Sequence, residues 1–300
     1  MSLRNNLSLS RIPLAGFAAI GTGWGGFAAA TPALKQHLAL SEADLGQALF
    51  FGALGAVFSM AMAPKIIAWT GRGRGVIGAA IVPMALGFAL VGQANSVVAF
   101  ALAICLTGCA TGFVDVIINA RVSSTEARTN RHLMSLNHGS FSLAYAATAF
   151  SMGLGREAGL PLAWLYTALG GLVVLWVLLT LRDPGFEDTP IVDDTAAPPS
   201  AKLSAPVYLI GFMILIAFFA ENSTEIWAAL HIEQTLGGGA AQGALGPTML
   251  GLTMALGRFT GQGLANRFGT RTVMTSMALL GAAGGATAAF APTPLIAASE

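Results

Sequence analysis

The chain has 300 residues, of which 55% are hydrophobic and only 10% charged, with a mean hydropathy of +0.70. So few charges cannot solvate the surface of a soluble domain, and composition alone places the chain among integral membrane proteins. A net charge of +1 excludes the concentrated basic surface that nucleic-acid binding requires.

About 20 apolar residues cross a bilayer. That window predicts spans near 12–34, 45–67, 75–95, 97–120, 133–155, 161–181, 206–230, 243–265 and 272–292, an all-α polytopic helical bundle. The first apolar stretch follows Arg4 and Arg11 and is too long for a signal-peptide core, so it reads as a retained span. Within it, "GTGWGG" sets Trp24 among glycines, where the indole suits either ligand stacking or plain helix packing. Cys105 and Cys109 fall on one helix face in the fourth span, so no disulfide framework is implied. Residues 182–205 are proline-rich, acidic and aperiodic, as expected of a solvated linker. The expected organisation is a six-helix half over 1–181, this linker, and a partial second half over 206–300. A tenth apolar stretch starts at Pro294 and runs to Glu300, and the span arithmetic anticipates a longer native protein.

Lys and Arg placement predicts orientation. With the N-terminus cytoplasmic, 13 of the 15 basic residues fall at cytoplasmic ends or loops, and only Lys35 and Arg156 fall outside. Arg258, read as one or two turns from the turn after the eighth span, is expected to snorkel to the cytoplasmic interface.

The halves echo each other. "WTGRGRG" follows the second span, with Gly71 and Arg72, and "NRFGTR" follows the eighth, with Asn266, Arg267, Gly269 and Arg271. Repeated halves characterise secondary transporters, whose sites lie near the midplane between repeats. With these turns and the six-span half plus linker, the chain resembles the major facilitator superfamily, whose turn motif reads roughly G-x-x-x-D-R-x-G-R-R. Asn266 stands in place of the acid and Gln262 in place of the first glycine, while Arg267, Gly269 and Arg271 match. In the first half, Ala68 and Trp69 occupy the Asp-Arg positions, leaving Gly71 and Arg72.

Polar residues inside spans are the candidate functional groups, because each is costly in lipid. Thr107, Thr111, Asp115, Asn119 and Ser123 recur every four residues in the fourth span and make one slanted polar stripe. That stripe should face the bundle interior; the competing reading has Asp115 snorkelling toward Arg121. In the fifth span Ser135, His138, Ser142 and Tyr145 form a second polar face, with His138 a candidate proton carrier. In the seventh, Glu221 and Asn222 lie past the midplane, whereas Glu225 and Trp227 are expected to mark the outer interface. The stripes on the fourth, fifth and seventh spans are expected to line one shared cavity. No phosphate-cradling glycine motif, Walker sequence or metal-spaced cluster is found, so neither a cofactor nor a metal is expected.

"VDVIIN", "LMSLNHGSFSLA" and "AENSTEIWAAL" together look like the fucose-permease-like branch of the superfamily. There, a carboxylate in the fourth span followed four residues later by Asn is tied to sugar binding and proton coupling. Asp115 and Asn119 occupy those positions, while the branch's first-span acid has no counterpart in residues 12–34. The resemblance implies a monomeric secondary transporter of the inner membrane, not an enzyme. It would move a small polar solute, a sugar or related metabolite, by alternating access with proton symport. Asp115, Asn119, His138, Glu221, Asn222 and Trp24 would form the substrate and coupling site. A proton-antiport exporter of drugs or metabolites, and a transport-inactive receptor or scaffold, are the competing readings.

Overall fold

The computed structural model describes residues 3–70, 74–185 and 204–299. Every regular element among them is helical: α1 (Leu3–His37), α2 (Glu42–Trp69), α3 (Val76–Val91), α4 (Val97–Thr129), α5 (Met134–Glu157), α6 (Leu162–Leu175), α7 (Ala205–Leu230), α8 (Ala240–Phe268), α9 (Thr270–Ala289) and the short α10 (Pro294–Ser299). A 3₁₀ turn, Trp176–Thr180, prolongs α6, and a π-helical segment, His231–Thr235, prolongs α7. Gly71, Arg72 and most of the expected linker lie outside the described residues.

Polar side chains at the helix ends explain where the elements start and stop. Ser41 and Asp44 form a capping box at the start of α2: Asp44 N donates to Ser41 Oγ, and Ser41 N to Asp44 Oδ2, each at 3.1 Å. Ser96 caps α4 by accepting from Ala99 N at 3.2 Å. Glu126 of α4 accepts from Leu133 N and from Met134 N, placing a carboxylate on the positive end of α5. The turn from α8 to α9 is the single residue Gly269, whose φ of +84° a side chain would strain.

Six stretches among the described residues are long and apolar enough to cross a membrane: Arg4–His37, Glu42–Trp69, Val97–Thr129, Leu162–Thr180, Ala205–Thr235 and Thr270–Ala289. The nine-span expectation differs at α3, α5 and α8. With 16 residues, α3 reaches only about 24 Å. α5 and α8 have the length, 24 and 29 residues, but their glycines and polar side chains dilute their hydropathy. Some of those glycines let the two helices approach: Gly139 receives Phe259, Gly153 meets Ala244, and Gly251 lies against Ser142 and Ala146.

α1 is the central strut and touches α4, α5, α6, α7 and α8. α2 lies on α4, and α3 is held between α4 and α6. α5 is sandwiched between α1 and α8, so it joins the first six helices to the last four. The buried core runs through α1, α3 and α4, with Phe17, Phe27, Phe88, Phe100, Ile104 and Tyr166 fully enclosed. Along α7, the apolar residues from Val207 to Phe219 are exposed, as lipid-facing side chains are. The bundle has a basic face, carrying Arg11, Arg121, Arg128 and Arg267, and an opposite face where α1 and α5 end.

Candidate functional site

Glycines bring α5 close enough to its neighbours for short polar side chains to meet. A Cβ on Gly21 or Gly25 would fall on the α5 backbone carbonyls of Phe141 and Tyr145 respectively. On the other side of α5, Gly139 receives the Phe259 ring and Gly251 lies against Ser142 and Ala146. This is the small-residue packing that lets membrane helices approach backbone to backbone. It also accounts for "GTGWGG": Gly23 receives Phe88 and Gly26 receives Leu169, so these glycines serve packing. Trp24 sits edge-on to Phe27 at 5.4 Å and to Phe88 at 5.6 Å, within the α1–α3 core.

Between α5, α7 and α8 lies a charged cluster whose centre is Arg258. The expectation that Arg258 snorkels to the interface is corrected. Ten residues separate it from Phe268, about 15 Å along the helix, which is half the thickness of the hydrocarbon core. Its Nη1 donates to the His138 carbonyl oxygen at 3.1 Å and to Ser142 Oγ. Nη2 stands 3.7 Å from Glu221 Oε1, and the guanidinium lies over the Phe141 ring, 5.5 Å from its centroid. A guanidinium at the bilayer centre costs at least about 2.5–3.5 kcal/mol unless compensated. Two neutral acceptors, an aromatic face and a carboxylate supply that compensation.

The rest of the cluster surrounds this cation. The His138 ring packs on Phe17 of α1 with centroids 4.5 Å apart. Glu225, expected at the interface, instead stands within electrostatic reach of Arg258 and of the Tyr145 hydroxyl, together with Glu221. Tyr145 is only 1% exposed, and its hydroxyl has no hydrogen-bond partner among the described residues. Asn222, on the same turn as Glu221, is exposed.

Asp115 and Asn119 form a separate group. Asn119 Nδ2 donates to Asp115 Oδ1 at 3.0 Å and to the Asp115 carbonyl oxygen at 2.9 Å. Arg121, the alternative partner, reaches Asp183 instead, at 2.5 Å. Ile118 packs toward Gly16 of α1, and Gly112 toward Ala56 and Ser59 of α2. Three residues either way is about 60° around a helix, so Asp115 points into the angle between α1 and α2. Thr107 is turned to Gly87 of α3 and donates to the Ala103 carbonyl. The stripes expected to line one cavity fall into two hydrogen-bonded groups. Arg258 joins the α5 and α7 stripes, and no hydrogen bond or ion pair among the described residues links them to the α4 pair. The reason is that α4 packs chiefly on α2 and α3, with few contacts to α5.

On the opposite face, side chains tie α7 and α8 to α1 and α5. Arg156, near the end of α5, grips Glu233 with two parallel bonds of 2.7 Å and donates to the Ala29 carbonyl oxygen at 2.6 Å. Lys35 donates to Glu42 at 2.7 Å and to Gln234 at 3.0 Å. Glu157 accepts from Ala241 N at 3.0 Å, at the start of α8. Lys35 and Arg156 are the two basic residues that the positive-inside count left on this face, and both serve the tie. On the basic face, a cavity of about 370 Å³ is lined by Arg11, Arg121, Ser124, Arg128, Pro184 and Gly185 among others. Of the turn residues after α8, Asn266 accepts from Gln262 Nε2 at 3.0 Å, Arg267 lies over the Phe268 ring at 5.2 Å, and Arg271 is exposed in the first turn of α9.

A helical membrane bundle with a charged cluster joining its first six helices to its last four has the build of a membrane transporter. Residues 14–299 match the Major Facilitator Superfamily, and the chain belongs to that family. It is 29% identical over 273 residues to an uncharacterised MFS-type transporter of Yersinia pestis, covering 89% of this chain and 69% of that protein. It is 26% identical over 281 residues to an uncharacterised transporter of Sinorhizobium fredii, covering 90% of this chain and 71% of that one. Membrane protein MosC of Rhizobium meliloti is 25% identical over 270 residues, 89% of this chain and 64% of its own length.

Proposed function

We propose that this chain moves a small polar solute across the inner membrane by alternating access, coupled to protons in symport. The basic face is then cytoplasmic, and the organisation is a six-helix half, a linker and a second half. The observation that carries the reading is the Arg258 cluster. It joins α5 of the first half to α7 and α8 of the second at mid-membrane depth, so any rocking of the halves must remake its contacts. A charged group is retained at such depth against a desolvation cost, which is the mark of a transport pathway.

The Arg156–Glu233 and Lys35–Gln234 ties favour closure of the outer side, leaving the cytoplasmic side as the open one in this conformation. Binding of solute or proton then has an effect only through differential affinity for the two arrangements. Asp115 is the proposed proton-carrying acid, paired with Asn119 on a stripe that turns away from lipid. That pair is also the feature supporting a place in the fucose-permease-like branch. His138 and Glu221 line the solute site with Asn222 at its edge, and Trp24 supports α1 behind it.

Reconstitution of the full chain into proteoliposomes tests the reading. An inward-directed proton gradient should drive solute accumulation, and counterflow should persist without the gradient. A gradient of opposite sign driving accumulation would replace symport by antiport. Absence of both activities for every solute that binds would leave a receptor or scaffold.

A further inference from the structure

The guanidinium of Arg258 is only half used by the protein. Nη1 is committed to two neutral acceptors on α5, the His138 carbonyl oxygen and Ser142 Oγ. Nη2 has Glu221 Oε1 at 3.7 Å, beyond hydrogen-bond range, and Nε has no acceptor among the described residues. Phe141 covers one flat face of the group. Neither partner is sealed off, since the Arg258 side chain is 27% exposed and that of Glu221 40%. A second observation points into the same inter-helix space. The Tyr145 hydroxyl is buried without a hydrogen-bond partner among the described residues and lies within electrostatic reach of Glu221 and Glu225.

An open Nε–Nη2 edge presents two nearly parallel N–H donors, a fork whose spacing matches the two oxygens of a carboxylate. Lys could not offer this geometry, and a neutral hydroxyl would use only one prong. Charge balance narrows the class further. The cluster sets one guanidinium beside two carboxyl side chains, so a dianionic phosphate would meet two repulsive neighbours and a single cation. We infer that the solute carries a single carboxylate, which takes the free edge of Arg258 bidentately and displaces Glu221 from beside it. The inference rests on the transport reading above and narrows its substrate from polar solutes in general to monocarboxylates.

Matched pairs that differ in charge test it on the purified full chain. Thermal unfolding is followed with lactate against lactamide, gluconate against glucose, benzoate against benzamide, and with inorganic phosphate. At least one carboxylate should raise Tm, while its neutral partner and phosphate do not. In Arg258→Lys, which keeps the buried charge and loses the fork, affinity for that carboxylate should fall at least tenfold. In Glu221→Gln, which relieves the competing carboxylate, affinity should rise, and a fall would overturn the displacement. A neutral partner that stabilises as well as its acid, a panel in which no carboxylate acts, or unchanged binding in Arg258→Lys each overturns the inference. Counterflow separates this failure from that of transport. Exchange of a neutral solute overturns the carboxylate class and leaves transport standing. A carboxylate that binds at Arg258 and is not exchanged upholds the site and removes transport.

Discussion

Cutting the tie between Arg156 and Glu233 should shift the chain toward a conformation open on the face that this tie closes. The pair is bidentate, with two bonds of 2.7 Å, and its side chains are only 8% and 13% exposed. Removing one partner of a buried, hydrogen-bonded ion pair costs about 3–5 kcal/mol, much of it from the charge left unpaired. Glu233→Ala leaves Arg156 its bond to the Ala29 carbonyl, which holds the cost near the low end, about 3 kcal/mol. The unlatched state escapes this penalty because water solvates Arg156 there. At 1.4 kcal/mol per factor of ten, the ratio of unlatched to latched molecules should rise about 100-fold. Spin labels at the exposed positions Gln36 and Thr235 would read this out as a longer-distance population in pulsed dipolar spectra. Arg156→Ala should give a similar shift, and the double variant should resemble either single rather than their sum. An unchanged distance distribution in well-folded Glu233→Ala would refute the latch. Additive effects in the double variant would show that the two residues act separately.

Other consequences can be measured independently. Gly21→Val should abolish stable expression, since its side chain would fall on the Phe141 carbonyl, whereas Gly171→Ala, with open space around it, should keep or raise Tm; fluorescence-detected size exclusion compares them. Asp115→Asn should lose gradient-driven uptake and retain counterflow with normal folding, because the amide oxygen can still accept from Asn119; normal gradient-driven uptake would remove the coupling role. In a background lacking Cys105 and Cys109, cysteine at Asn222 should react quickly with a small hydrophilic thiol reagent, and cysteine at Ser142 slowly, because Ser142 is fully buried beneath Arg258. Equal rates at both positions would mean that the α5–α8 contact opens readily.

Apolar windows locate the helices, but they measure bilayer thickness rather than helix length. The window over the fourth span stops at residue 120, whereas α4 continues to Thr129. Thr125 and Thr129 donate to the carbonyls of Arg121 and Thr125 there, at 2.8 and 2.7 Å, in a polar last stretch that no hydropathy window counts. The polar stripe on α5 was legible because spacing along one helix is a sequence property. What that stripe meets was not, since Arg258 lies 116 residues from Ser142 and its pairing is set by packing. Counting turns would have found it: ten residues from the end of α8 is too deep for a side chain to reach the interface easily. The tie through Lys35 and Arg156 also left a trace in the sequence, because these two basic residues fall on the face away from the others. A basic residue kept on the unfavoured side has some other use, and here that use is to bind the second group of helices.

The two inter-half contacts differ in a way that bears on how they would exchange. The Arg156–Glu233 tie is specific and strong, with short bidentate bonds between nearly buried charges, so it is suited to holding one arrangement. The Arg258 cluster binds its own carboxylate loosely, at 3.7 Å, and keeps neutral acceptors on the other side. A tight internal pair at the centre would compete with any ligand, whereas a loose one leaves the cation available without leaving it bare. The π-helical segment that carries Glu233 continues directly from α7, the helix that also carries Glu221. A displacement of Glu221 and a release of Glu233 therefore act on one continuous helical element, 12 residues apart, about 18 Å along its axis. Occupancy at Arg258 and closure of the Arg156–Glu233 tie would then be coupled through α7 itself, with no separate relay of side chains required.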